Sequence, residues 1–213
     1  MTQPVECLII FTRYPIPGKT KTRLIPALGA VGAANLHREL TEQTLTQARH
    51  LNTAEAIAVE VHVAGGEEHP DLAKWLGADL VYQLQGNGDL GDRMALSIDL
   101  ALRAGRERVI IIGTDCPGLN ADLLKSAFQT LHSHDLVLGP AIDGGYYLIG
   151  LRRFIPELFV GISWGTAEVL QQTVNIANKL GVSVGYLPPL ADIDRPEDLP
   201  VWERIRDELN DRS

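Results

Sequence analysis

Short apolar, β-branched runs alternate along this chain with amphipathic helical stretches, and that alternation constrains the fold more than any other feature. Val5–Phe11 is mostly apolar and bounded by prolines, as a strand buried on both faces is. Ala56–Val63, Leu80–Leu84, Arg108–Ile112, Leu136–Leu138, Gly145–Leu151 and Val182–Leu187 read as further strands, with Leu80–Leu84 the more polar. Between them, Ala33–His50 carries Leu36, Leu40, Thr44, Leu45 and Ala48 on one stripe and reads as a helix. Leu72–Leu76, Leu90–Ala104, a segment capped by Asn120 that runs to Leu131, Thr166–Leu180 and Pro196–Leu209 read the same way, the last interrupted at Pro200. The pattern predicts a three-layer αβα fold around a mostly parallel sheet. No repeat, low-complexity tract or linker divides the 213 residues, so one domain over 1–213 is expected. In such sheets ligands bind beyond the carboxyl ends of the strands, which directs attention to the loops after Phe11, Leu84, Ile112 and Leu187.

Charge narrows the partners. Asp and Glu total 27 against 19 Lys and Arg, a net charge of −8, which argues against a broad nucleic-acid-binding surface. No run approaches the ~18 apolar residues of a membrane span, and the start, MTQPVECLIIFTRYP, has no basic leader region. The expectation is a cytoplasmic protein with no membrane partner. Cys7 and Cys116 form no disulfide framework, and Cys116 has no base near it in sequence, so it reads as a small buried filler. The six histidines are scattered, and His132 and His134 have no metal-site company.

Against this acidic background Arg13, Lys19, Lys21 and Arg23 crowd into eleven residues, interleaved with Gly18, Thr20 and Thr22. A loop leaving a first strand offers backbone N–H groups to an anion; Arg adds bidentate contacts and Lys a point charge. A diphosphate or triphosphate site follows. Gly18-Lys19-Thr20 imitates a P-loop ending, but that motif needs glycine where Arg13 stands. Gly86-Asn87-Gly88-Asp89-Leu90-Gly91 matches the dinucleotide fingerprint GxGxxG, yet it lies in mid-chain after a strand carrying Gln83 and Gln85 and leaves the basic loop unexplained. The preferred reading lets Gly88 and Gly91 admit a base or sugar, with Arg93 one turn into the helix; a flexible turn and helix start is the equal alternative.

Three carboxylates sit where strands should end. Asp115 follows Val109–Ile112, and a hard divalent cation bridging phosphates takes one or two such carboxylates. Asp194 is the second candidate ligand, although Asp194 and Glu197 also have capping-box spacing. Asp143, before Gly144 and Gly145, faces either a ligand or a tight turn. Trp164, in Ser163-Trp164-Gly165-Thr166, either stacks on a substrate ring or packs in a capping turn.

Arg13-Tyr-Pro-Ile-Pro-Gly18, Lys21-Thr-Arg-Leu24, Gly88-Asp-Leu-Gly-Asp-Arg-Met94, Gly113-Thr-Asp-Cys-Pro117, Asp143-Gly-Gly-Tyr-Tyr147, Ser163-Trp-Gly-Thr166 and Asp192-Ile-Asp-Arg-Pro-Glu-Asp198 occur in one order. That ordered set resembles the nucleotide-diphospho-sugar transferase superfamily, in particular the radical-SAM/selenodomain-associated transferases, also described as arsenosugar-biosynthesis glycosyltransferases. It is also similar to phospholactate guanylyltransferases and molybdenum-cofactor nucleotidyltransferases. The resemblance implies a GT-A-type fold, a nucleotide or nucleotide-sugar, a small-molecule acceptor, and Mg²⁺ or Mn²⁺ held by Asp115 and Asp194. It puts Arg13, Lys21 and Arg23 on the phosphates. From the loop positions, Gly18, Thr22, Gly88, Gly91 and Arg93 are also expected at the nucleotide, and Asp143, Gly144, Gly145 and Trp164 at the other substrate. Lys21, Asp115 and Asp143 are the expected catalytic residues. Glycosyltransferases of this fold often carry Asp-x-Asp at the central strand end, where this chain has Gly113 and Asp115. Glycosyl transfer from a nucleotide-diphospho-sugar is the expected activity. Its alternative is nucleotidyl transfer from an NTP to a phosphorylated small molecule, and its rival from another class is a non-catalytic nucleotide-binding regulator. A homodimer is left open.

Overall fold

The computed structural model describes residues 5–54, 57–65 and 71–210. Seven strands form one sheet: β1 (Glu6–Arg13), β2 (Ala58–Ala64), β3 (Val81–Leu84), β4 (Arg108–Ile112), β5 (Leu136–Pro140), β6 (Tyr146–Leu151) and β7 (Val184–Tyr186). Their order is β3-β2-β1-β4-β6-β5-β7. β6 runs antiparallel to both neighbours, β4 and β5; the other pairings are parallel. The helices are α1 (Ile25–Ala54), α2 (Leu72–Leu76), α3 (Leu90–Arg103), α4 (Ala121–Thr130), α5 (Val169–Lys179) and α6 (Leu199–Asn210). This is the expected α/β class.

Alternation along β1 divides the core between the two faces. Leu8 and Ile10 pack with Leu45, Leu51, Leu124 and Phe128 of α1 and α4, whereas Cys7, Ile9 and Phe11 pack with Met94, Ile98 and Ala177 of α3 and α5. β3 is an edge strand, which accounts for its polar composition. A third, smaller core joins Leu24, Leu36, Leu40, Ile193 and Trp202.

Some boundaries differ from expectation. Helix α1 starts at Ile25, well before Ala33, and is broken at Gly29, whose φ of 70° and ψ of 167° interrupt the helical path. Thr22–Leu24 forms a single 3₁₀ turn before it. At the other end, Pro196–Asp198 is a separate 3₁₀ turn and Pro200 is the second residue of α6, where no backbone donor is required. The discontinuity therefore precedes Pro200. Ala56, placed in a strand by its sequence, lies outside the described residues. No helix among the described residues is long and apolar enough to cross a membrane.

Candidate active site

β1 and β4 lie side by side and parallel, so their carboxyl ends open on one crevice. From β1 the chain enters a tight loop in which the buried Thr20 hydroxyl accepts from the Ile16 N–H (3.2 Å) and donates to the Tyr14 carbonyl (3.4 Å). Lys21 follows with φ 49° and ψ 45°, the left-handed region, and is the one non-glycine residue with positive φ among those described. Such a conformation costs about 1–2 kcal/mol for a residue with a Cβ. It persists because the side chain, 4% exposed, carries its ammonium to Asp115 Oδ1 at 2.8 Å and to the Ile193 carbonyl.

Residue 193 reaches that point by a path set after β7. The Leu187 and Leu190 N–H groups donate to the Leu138 and Pro140 carbonyls, and the Ile193 N–H donates to the Asp115 carbonyl at 2.8 Å. Ile193 is fully buried in the third core, which anchors the segment; burying such a side chain contributes about 1.5–3 kcal/mol. The two residues flanking it, Asp192 and Asp194, line different clefts. Asp194 Oδ2 meets Arg23 Nη1 at 2.5 Å. The capping-box expectation for Asp194 and Glu197 does not hold. The 3₁₀ turn swings Asp198 back, and its carboxylate accepts from the N–H groups of Asp194 (3.0 Å) and Arg195 (2.7 Å). The Asp194 side chain is thereby left to face the cleft.

The first cleft, about 510 Å³, gathers Arg13, Lys19, Lys21, Thr22, Arg23, Arg93, Asp115 and Asp194. Polar residues that the sequence did not assign to the site also line it, Thr12, His37, Gln85 and Thr114 among them. His37 Nε2 sits 3.1 Å from the Arg13 carbonyl and 3.3 Å from the Thr12 hydroxyl. Burial holds its basicity below the ordinary histidine value. Gln85 Nε2 donates to the Thr12 and His62 carbonyls, fixing the ends of β1 and β2 together. The spacing of His37 and Thr41, one helical turn apart beside the apolar stripe of α1, was the available signal for a polar site on that helix.

The second cleft, about 270 Å³, shares Leu90, Gly113 and Asp115 with the first and adds Asp143, Gly145, Trp164 and Asp192, among others. The Trp164 ring meets Tyr146 edge-on, 6.3 Å between centroids at 89°. Burial, reinforced by the neighbouring Asp143 charge, raises the Asp192 carboxyl above the ordinary aspartate value. Burial also drives the Cys116 thiol far up, which keeps it un-ionised and suits the filler reading.

Gly18, Gly88, Gly91 and Gly144 line neither cleft. At Gly91 a Cβ would come within 2.7 Å of the Trp164 indole and 2.6 Å of the Phe159 carbonyl, so packing explains the missing side chain. Gly144 similarly lies against the Ala167 backbone. The fingerprint-like segment ends in a closed cap. Asp89 accepts from the Asp92 N–H (2.9 Å), and Asp92 returns the contact (3.1 Å), so two carboxylates occupy the helix start that a dinucleotide pyrophosphate would need.

Mg²⁺ typically takes one or two protein carboxylates and completes its shell with phosphate oxygens and water. Asp115 and Asp194, adjacent through the Ile193 bridge and lining one cleft with the cations, fit that requirement. No group of three His, Cys, Asp or Glu side chains among the described residues forms a protein-only cage.

The strand order and this crevice define an α/β protein of nucleotide-diphospho-sugar transferase type. The chain belongs to the family described as "Uncharacterized protein conserved in bacteria (DUF2064)", whose profile matches residues 45–166. Its structure is similar to that of a "putative nucleotide-diphospho-sugar transferase" from Desulfovibrio desulfuricans G20, at 34% identity and a TM-score of 0.84, covering 90% of this chain and 83% of that one. It shares its fold with the inositol-1-phosphate CTP transferase from T. maritima (16% identity, TM-score 0.60, 96% of this chain and 97% of that one). The same holds for glucosyl-3-phosphoglycerate synthase from Mycobacterium tuberculosis, solved with Mg²⁺ and uridine-diphosphate (10% identity, TM-score 0.55, 91% of this chain and 73% of that one). No curated protein sequence matches the chain.

Proposed function

We propose that this protein is a single-domain, Mg²⁺- or Mn²⁺-dependent glycosyltransferase using a nucleotide-diphospho-sugar. The observation that carries the reading is the meeting of Lys21 and Arg23 with Asp115 and Asp194 at the rim of one cleft. Arg13, Lys21, Arg23 and Arg93 neutralise the diphosphate. Lys21, held by two fixed partners, needs no reorganisation as charge develops on the leaving group. Asp115 and Asp194 hold the cation, which when bound supplies Lewis-acid stabilisation of the departing diphosphate. The acceptor hydroxyl forms a bond to the anomeric carbon, the bond from that carbon to the phosphate oxygen breaks, and the nucleoside diphosphate leaves with the electron pair. The hydroxyl proton passes to a carboxylate at the second cleft, for which Asp143 is the candidate. The likeness to the Desulfovibrio protein supports the choice of sugar donor.

The test is a thermal-shift screen of nucleotides and nucleotide-sugars with Mg²⁺ or Mn²⁺, followed by product analysis. Release of nucleoside diphosphate supports glycosyl transfer, and release of pyrophosphate from an NTP replaces it with nucleotidyl transfer. Binding without turnover would make the protein a nucleotide-responsive regulator. If no nucleotide raises the melting temperature, the transferase reading is wrong.

A further inference from the structure

The two clefts differ in charge in a way that bears on the acceptor. The five Lys and Arg side chains at the crevice, Arg13, Lys19, Lys21, Arg23 and Arg93, all line the first cleft, and none lines the second. The second has instead three carboxylates, Asp115, Asp143 and Asp192. Of these, only Asp115 has a cationic ion-pair partner among the described residues, Lys21. Asp143 spends one oxygen on the Gly145 N–H at 2.9 Å, which turns the carboxylate into a fixed acceptor without neutralising it. Asp192 lines the same cleft as Asp143. One wall is aromatic: the Trp164 ring, braced edge-on by Tyr146. A flat aromatic face beside hydrogen-bond acceptors suits the carbon face and hydroxyls of a polyol or sugar.

We infer that the second cleft takes an acceptor that bears hydroxyl groups and is neutral or carries an ammonium group, and that it excludes phosphorylated acceptors. The inference rests on the proposed sugar transfer and deepens it. A phosphate placed there would lie against Asp143 and Asp192, with no Lys or Arg lining the cleft to offset them, while the Lys21 ammonium is engaged by Asp115 and the proposed cation by the donor's diphosphate. Like-charge contacts of that kind cost several kcal/mol in a binding site. Nucleotidyl transfer to a phosphorylated molecule needs its attacking phosphate in this position; glycosyl transfer to a hydroxyl does not. The same carboxylates that repel phosphate accept hydrogen bonds from hydroxyls and attract an ammonium group.

The experiment uses the full chain with pyrophosphate and Mg²⁺ saturating the first cleft, so that phosphates cannot bind there. Saturation-transfer NMR then compares glucose, glucosamine and glycerol with glucose 6-phosphate and glycerol 3-phosphate. Binding of the unphosphorylated members is expected, at least tenfold tighter than that of their phosphorylated counterparts. Trp164→Ala is expected to remove it. Asp143→Asn combined with Asp192→Asn is expected to narrow the discrimination to about threefold and to remove any preference for glucosamine over glucose. Equal or tighter binding of the phosphorylated members overturns the inference, as does binding of no member. A failure of pyrophosphate and Mg²⁺ to raise the melting temperature, measured beforehand, counts against the proposed transferase itself and is read separately.

Discussion

The Lys21–Asp115 pair predicts an asymmetric double-mutant cycle. At 2.8 Å and an effective dielectric of about 20, the gross attraction is about 6 kcal/mol. The lysine side chain is 4% exposed and the aspartate 47%, so water screens one partner and not the other. Discounting by about half for that screening leaves about 2–3 kcal/mol of coupling. Asp115→Asn keeps an oxygen for Lys21 but leaves a buried ammonium without its counter-charge, so it should cost most of that coupling. In a chain of this size about 2–3 kcal/mol corresponds to a melting temperature roughly 4–12 °C lower. Lys21→Met keeps an apolar stem in the same channel and lets Asp115 hydrate. It strands only the Ile193 carbonyl, at about 1–2 kcal/mol. The double variant should resemble Lys21→Met alone, because the aspartate no longer has a buried cation to satisfy. Urea unfolding of the four proteins measures the cycle. If the two single costs add in the double variant to within about 0.5 kcal/mol, the pair is uncoupled and the account of Lys21 is wrong.

Three further outcomes are expected. Because burial depresses the folded-state basicity of His37, the unfolded chain takes up that proton first; His37 thus contributes stability that is complete above its ordinary value of 6.5 and declines as pH falls below it. His37→Gln should flatten that part of the profile, read as a smaller difference in urea midpoint between pH 7 and pH 5 than in wild type. Gly91→Ala should cost about 1–3 kcal/mol by overpacking against Phe159 and Trp164, with a change in indole fluorescence reporting the displaced ring. Ile193→Ala should cost about 2–5 kcal/mol and, by loosening the segment between Asp192 and Asp194, weaken Mg²⁺-nucleotide binding in calorimetry. A variant that is destabilised but binds normally would separate that anchor from the site.

The strands and helices were legible because burial on both faces forces near-continuous runs of Ile, Val and Leu, as in Arg108–Ile112, and because caps such as Asn120 use local chemistry. The direction of β6 was not, since an antiparallel strand inside a parallel sheet carries the same apolar pattern as its neighbours. The site divides along the same line. The basic loop and Asp115 announced themselves by charge against an acidic background and by position after an apolar strand. His37 and Gln85 did not, because a lone polar residue on an apolar face or at a strand end looks the same whether it braces a cleft or merely fills it. Asp194 was ambiguous on spacing, since any carboxylate before a proline-started turn is a plausible cap. Only the three-dimensional path, with Asp198 supplying the cap, releases Asp194 to the cleft.

Lys21 links the two clefts' segments at a local cost. A residue in the left-handed region with its ammonium buried is unfavourable twice over, once for the backbone and once for the desolvated charge. Stability alone would favour glycine at such a turn. What the lysine gains is contact with two segments far apart in sequence, the end of β4 at Asp115 and the bridge at Ile193. Asp115, Asp192 and Asp194 all sit on or beside those two segments, so the ammonium joins the stretches of chain that carry them. A glycine there would relax the backbone but remove the ammonium contact, leaving the backbone hydrogen bond from Ile193 to Asp115 and the packing of Leu190 near Gly118 to join the two segments. Under the proposed transfer from the first cleft to the second, the strain is the cost of holding the first cleft's cations in register with the second cleft's carboxylates.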